Sequence, residues 1–139
     1  MGNRAAPVRS KTDMLTAEEH PAAQCILEYF AAFQAGDSKR YAAQWLYPAS
    51  LWAQGRWTQI ASAAEMEHNN IEYQRAQRAA GIKGGAVISL SCEDLAPGAA
   101  LVRGRFSKVR SDGYVAGFVD ATYTVLRIDE VWKVAVCIA

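Results

Sequence analysis

Residues 99–138 decide the fold. Residues 99–110 read AALVRGRFSKVR, 111–113 SDG, 114–127 YVAGFVDATYTVLR, 128–130 IDE and 131–138 VWKVAVCI. Val, Ile, Thr, Tyr, Phe and Trp dominate the three long runs, and such side chains suit a pleated, half-buried surface. Asp112-Gly113 supplies the left-handed residues of a hairpin turn, and Ile128-Asp129-Glu130 marks a second turn without glycine. In the middle run, alternation puts Phe118, Asp120, Thr122, Thr124 and Leu126 on one face. Val119, Ala121, Tyr123, Val125 and Arg127 take the other. Both faces are largely apolar, so both are expected to be covered, one by helices and the other by a partner subunit or more sheet.

Working outward, Pro97-Gly98 turns a fourth run, Ala86 to Leu95, into the first of these strands, and Gly84-Gly85 leads into it. Upstream, Thr16-Ala17-Glu18-Glu19 has the form of a capping box, and the helix it opens carries Ala23, Ile26, Leu27, Phe30 and Phe33 at helical spacing. Gly36 ends that helix. Asp37 caps a short second helix in which Tyr41 and Trp45 share a face, and Pro48 is expected to stop it. Gln54-Gly55, between two apolar runs within Ser50 to Ile60, predicts a short hairpin. Ser62-Ala63-Ala64-Glu65 is a second capping box, opening a third helix to about Ala80 with Gly81 as its stop. The order is helix, helix, short hairpin, helix and four strands. Such an order closes as an α+β fold in which a curved antiparallel sheet forms a cone around the helices, leaving a pocket at the mouth.

Composition sets the class. The chain has 139 residues, 51% hydrophobic and 21% charged, with a net charge of +1, which suits one soluble domain without the basic stripe of a nucleic-acid binder. Residues 1–15 are polar and basic without an apolar core, the pattern of a flexible tail and not of a secretory signal. Residues 16–139 are expected to be the single domain. Cys25, Cys92 and Cys137 are odd in number with no C-x-x-C, so they read as buried thiols in a reducing cytoplasm. No apolar run has the ~20 residues of a membrane helix.

The stretches LEYFAAFQAGDSKRYAAQWLYPASLW (27–52) and RFSKVRSDGYVAGFVDATYTVLRIDEVWKVAV (105–136) carry a resemblance to the nuclear transport factor 2-like superfamily, over about residues 16–138. That group includes ketosteroid isomerase, limonene epoxide hydrolase and the SnoaL-like polyketide cyclases. The resemblance implies a cystatin-like cone fold, no cofactor and a homodimer through the outer sheet face. It places Tyr29 where ketosteroid isomerases keep their oxyanion-hole tyrosine. Their general-base aspartate falls on Ala53, and their protonated aspartate falls near Thr124. No carboxylate lies between Asp37 and Glu65, so proton abstraction beside a ketone lacks its base. The resemblance therefore does not extend to true ketosteroid isomerase activity.

Candidate chemistry centres on two residues. Asp120, mid-strand among apolar neighbours, is either an acid–base group with a raised pKa or one half of a cross-strand pair with Arg103 or Arg105. Asp120 with Arg105 is similar to part of the Asp-Arg-Asp arrangement of the epoxide hydrolases. Tyr29 is either a hydroxyl donor in the pocket or a core aromatic. Trp45, Trp52, His68, Tyr73, Arg105, Phe118 and Thr124 are the candidate binding residues. With only His20 beside His68, a histidine metal site has too few ligands. Two function classes stay open. One is a protein binding an apolar small molecule, with isomerase, cyclase or hydrolase chemistry through Asp120 and Tyr29. The other is a non-catalytic binding or dimerisation module with a filled pocket.

Overall fold

A computed structural model of the chain describes residues 19–139. The tail expected over residues 1–15 and the Thr16–Glu18 part of the first capping box lie outside the described residues. Helix α1 spans Pro21–Gln34, α2 Ser38–Ala43 and α3 Ala63–Ala79. The strands are β1 Trp45–Ala53, β2 Arg56–Ile60, β3 Ile82–Ala96, β4 Ala99–Arg110, β5 Val115–Ile128 and β6 Val131–Ile138.

These strands make one curved six-stranded sheet in the order β2-β1-β6-β5-β4-β3. The last four strands pair antiparallel, as their turns require. The hairpin β1–β2 joins them in a way that local sequence does not reveal. β1 lies parallel to β6, with Ser50 opposite Val136 and Leu51 opposite Cys137.

Helix α1 is set by His20, whose Nδ1 accepts from the Ala22 backbone N–H at 3.0 Å. Pro21 follows at the first helical position, where its missing N–H costs nothing. The Nε2–H of His20 donates to Asp94 at 2.8 Å, tying the start of α1 to β3. At the other end Gly36 (φ 71°) takes the left-handed conformation that stops the helix. Ala22, Ala23, Ile26 and Ala32 are fully buried against the inner face of the sheet, which presents Ala100, Val102, Ala121, Val125 and Val134.

Two expectations are corrected around α2. It ends at Ala43, so Trp45 opens β1 and does not share a helical face with Tyr41; Pro48 lies within β1 after a cis peptide bond. The Asp37 cap holds, its Oδ1 accepting from the Arg40 N–H at 3.1 Å. The second capping box forms in part: Ser62 Oγ accepts from the Glu65 N–H, while Glu65 Oε1 reaches one residue past the N-cap and accepts from the Ala61 N–H. Strand β3 begins at Ile82, earlier than the Gly84-Gly85 pair suggests, because those glycines belong to the ladder. A Cβ on Gly85 would collide with the Ser107 carbonyl oxygen, so only glycine lets the two backbones meet there.

Helix α3 is the most polar layer. Of its 17 residues, only Met66 and Asn70 are buried. Asn70 Oδ1 accepts from Ser38 Oγ at 2.8 Å and from Gln74 Nε2 at 2.9 Å, and Gln74 also donates to the Phe33 carbonyl at 3.2 Å. A small polar network thus helps Met66 and the Tyr73–Phe33 ring contact hold α3 onto α1 and α2.

Candidate functional site

The inner face of the sheet and the three helices enclose an aromatic interior. Helix α1 supplies Tyr29, Phe30 and Phe33, and α2 supplies Tyr41. Trp45 comes from β1, Phe106 from β4, Tyr123 from β5 and Tyr73 from α3. Each arrives by periodicity: Tyr29 and Phe33 are one helical turn apart, and Tyr123 lies between the buried Ala121 and Val125 on alternate positions of β5.

The polar groups of this interior are three tyrosine hydroxyls, the Trp45 indole N–H and the Cys137 thiol. Tyr41 Oη donates to Tyr29 Oη at 3.2 Å, with ring centroids 4.8 Å apart. Tyr123 meets the Tyr29 ring edge-on at 5.3 Å, and Trp45 lies 5.9 Å from it. Burial pushes the hydroxyls of Tyr29, Tyr41 and Tyr123 all well above the usual tyrosine range, so each stays protonated and able to donate. Cys137 lies close enough to raise them further, and burial lifts its own thiol to about 12. Trp45 is buried, and its Nε1 has no hydrogen-bond partner. Tyr29, Phe30, Phe33, Leu51 and Leu90 are only partly buried although they pack against the core.

The two catalytic candidates do not share a site. Asp120 points from the opposite face of β5, and its side chain is 69% exposed. There it accepts from Arg105 Nε at 2.9 Å and Nη2 at 3.3 Å across the β4–β5 pair. This is the cross-strand alternative, not a buried acid. The reason is the strand period: alternation divides the residues between two faces but does not say which face turns inward. Arg105 also stacks on Phe118 at 5.1 Å, and Phe118 is exposed.

Cross-strand partners share a face, so the register assigns the remaining candidates. Thr124 pairs with Leu101 and Val136 on the outer side. Trp52 pairs with Ile138, which pairs with Thr122, also outside. An open groove of about 460 Å³ on this outer face is bordered by Ser89, Ser91, Arg103, Arg105, Asp120 and Thr122. His68 is exposed on α3. Tyr73 stands at the lip of the interior, its ring 5.9 Å from Phe33, and its hydroxyl adds to the raised pKa of Tyr41 and Tyr123. Of the nine candidates, therefore, Tyr29, Trp45 and Tyr73 gather inside. Asp120, Arg105, Phe118, Thr124 and Trp52 lie outside, and His68 lies apart from both groups.

Sequence reading missed Tyr41 and Tyr123 as the partners of Tyr29. The available signal was the core-facing position of each aromatic residue on its own element. Among the described residues no three His, Cys, Asp or Glu side chains converge as a metal site, and no helix is long and apolar enough to cross a membrane.

This arrangement of helices and curved sheet defines a cystatin-like fold of the nuclear transport factor 2-like class. The chain belongs to the family described as "NTF2-like protein (DUF6841)", which it matches over residues 18–139. Among curated proteins no sequence match is found. Solved structures share the fold. A Nostoc punctiforme protein of unknown function with a cystatin-like fold matches at TM-score 0.68 and 11% identity, covering 90% of this chain and 91% of that one. An NTF2-like protein from Novosphingobium aromaticivorans matches at 0.67 and 15%, covering 83% and 75%. A ketosteroid isomerase-like protein from Erwinia carotovora atroseptica matches at 0.64 and 13%, covering 89% and 95%.

Proposed function

We propose that this protein binds a small, planar, largely apolar molecule inside its cone, with the hydroxyls of Tyr29, Tyr41 and Tyr123 as the polar anchor. The observation that carries this reading is the Tyr41–Tyr29 hydroxyl pair, set among aromatic rings and kept protonated by burial. Such a surface donates hydrogen bonds to an acceptor atom while apolar contacts supply most of the affinity. The fold neighbour described as ketosteroid isomerase-like lends general support to a pocket of this kind. The buried polar residues of the described chain are His20, Ser38, Asn70 and Ser107, with no carboxylate among them. His20 is engaged by Asp94 and Ala22. The interior therefore has donors but no base to take a proton from carbon, and the reading is binding without proton abstraction.

The same reading makes the protein a homodimer through the outer sheet face, in a reducing compartment that keeps its three cysteines free. Trp52, Phe118 and Ile138 stand on that face, each about half exposed. The Arg105–Asp120 pair lies beside them. A two-fold association would cover the apolar side chains and let each copy's ion pair meet the other's.

The direct test is a thermal-shift and calorimetric screen of bicyclic ketones and phenols, since a ligand that binds only the native state raises its melting point. A binder is expected, and Tyr29→Phe should weaken it about tenfold, the worth of one hydrogen bond of roughly 1.4 kcal/mol. Unchanged affinity in both Tyr29→Phe and Tyr41→Phe would remove the hydroxyls from the site.

A further inference from the structure

We infer that Trp45 is the second donor of this site, and that the ligand's oxygen is held jointly by its indole N–H and the tyrosine hydroxyls. The inference rests on the binding reading above and adds the residue that sets its specificity. Trp45 is 2% exposed. Among the buried side-chain nitrogen and oxygen atoms of the described residues, its Nε1 is the one left without a partner. Buried indole N–H groups ordinarily find an acceptor, and each exception asks for a reason.

The surroundings narrow that reason. Trp45 packs against Tyr29 and Tyr41, at ring-centroid distances of 5.9 and 6.2 Å. Its N–H lies near enough to Tyr41 to favour that residue's ionised form slightly, yet the two atoms do not meet in hydrogen-bond geometry. The indole thus faces the hydroxyl cluster with its proton unspent. Tyr41 already gives its own proton to Tyr29. An acceptor oxygen brought from outside would satisfy Trp45 and take the proton at the far end of the hydroxyl chain.

The donor set also defines the ligand's chemistry. The hydroxyls are protonated and the indole is neutral, and no Lys or Arg is buried among the described residues. An ionised carboxylate or phosphate would enter without a counter-charge and is disfavoured. A ring ketone, quinone or phenol brings an uncharged acceptor on a flat apolar body. Its hydrocarbon analogue would fill the same space but leave the indole bare.

The test uses 1-indanone and indane, which differ by one oxygen, with the full chain labelled at its tryptophan indole nitrogens. The Trp45 resonance is assigned by Trp45→Phe. Should that variant not fold, it is assigned by elimination with Trp52→Phe, Trp57→Phe and Trp132→Phe. 1-Indanone is expected to bind at least tenfold more tightly than indane and to move the Trp45 indole proton downfield, while indane leaves it in place. If 1-indanone binds without moving that proton, the inference alone is overturned. If neither compound binds, the binding reading fails and takes the inference with it.

Discussion

The ring of Phe106 lies directly over Gly104, on the same inner face of β4. A Cβ built on Gly104 would stand 2.7 Å from Phe106 Cζ and 3.2 Å from Leu90 Cδ1. The ring has nowhere to retreat, because it stacks on Phe30 at 5.0 Å and meets Tyr123 edge-on at 6.4 Å. The glycine between Arg103 and Arg105 is thus the socket for a core aromatic. Gly104→Ala is expected to cost about 1–3 kcal/mol through overpacking, read as a lower denaturation midpoint. Combining it with Phe106→Leu should recover part of the loss, since the two sites share one contact.

Helix α3 is expected to be the least protected layer. It buries only Met66 and Asn70 and otherwise leans on the Ser38–Asn70–Gln74 network. Few buried apolar contacts imply a low local opening energy. Hydrogen exchange should show amides of residues 63–79 exchanging well ahead of those in β4 and β5. Asn70→Ala should speed α3 about tenfold more while the strands stay unchanged. Protection in α3 equal to that in β5 would contradict this.

Alkaline pH should unfold the protein earlier than an exposed set of the same groups would predict. Burial lifts Cys25 and Cys92 to about 11 and Cys137 to about 12, and it lifts Tyr29, Tyr41 and Tyr123 as well. In the unfolded chain these thiols titrate near 9 and the phenols near 10. Above pH 9 the native state therefore holds more protons than the unfolded state, so stability falls as pH rises. Denaturant midpoints should be flat from pH 7 to 8 and decline from about pH 9 toward 12. For the same reason all three thiols should resist Ellman's reagent at pH 8 until the chain is unfolded.

The outer face should govern association. Light scattering at rising concentration is expected to give a dimer for the native chain and a monomer for Ile138→Glu, which sets a charge beside Trp52 on that face. Asp120→Asn should leave binding in the aromatic interior unchanged, because the carboxylate faces the other way. A monomeric native chain at high concentration would refute the proposed pairing.

The long strands, their turns and both helix stops were legible in the sequence because each rests on local chemistry: Asp112-Gly113, Pro97-Gly98, Gly36 and Gly81. So was the cone, from the order of the elements. The side of the sheet that Asp120 would occupy was not legible. Alternation groups it correctly with Phe118 and Thr122, but only the packing of Ala121, Tyr123 and Val125 on α1 fixes that group outside. The hydroxyl pair was hidden for a related reason. Tyr29 and Tyr41 belong to different helices, and their 3.2 Å approach depends on the Gly36-Asp37 corner between them. The end of α2 was misread because a four-residue aromatic spacing at Tyr41 and Trp45 fits a helix as well as it fits a helix handing over to a strand.

The parallel contact between β1 and β6 sets an order for biosynthesis. Leu51 must wait for Cys137 before its strand has a neighbour on that side. The β1–β2 hairpin, Trp45 to Ile60, thus lacks its β6 neighbour until Val136 and Cys137 have been translated, and Leu51 stays uncovered on that side until then. A contact of such long sequence reach is slow to form, so this segment is where a chaperone would have most to shield.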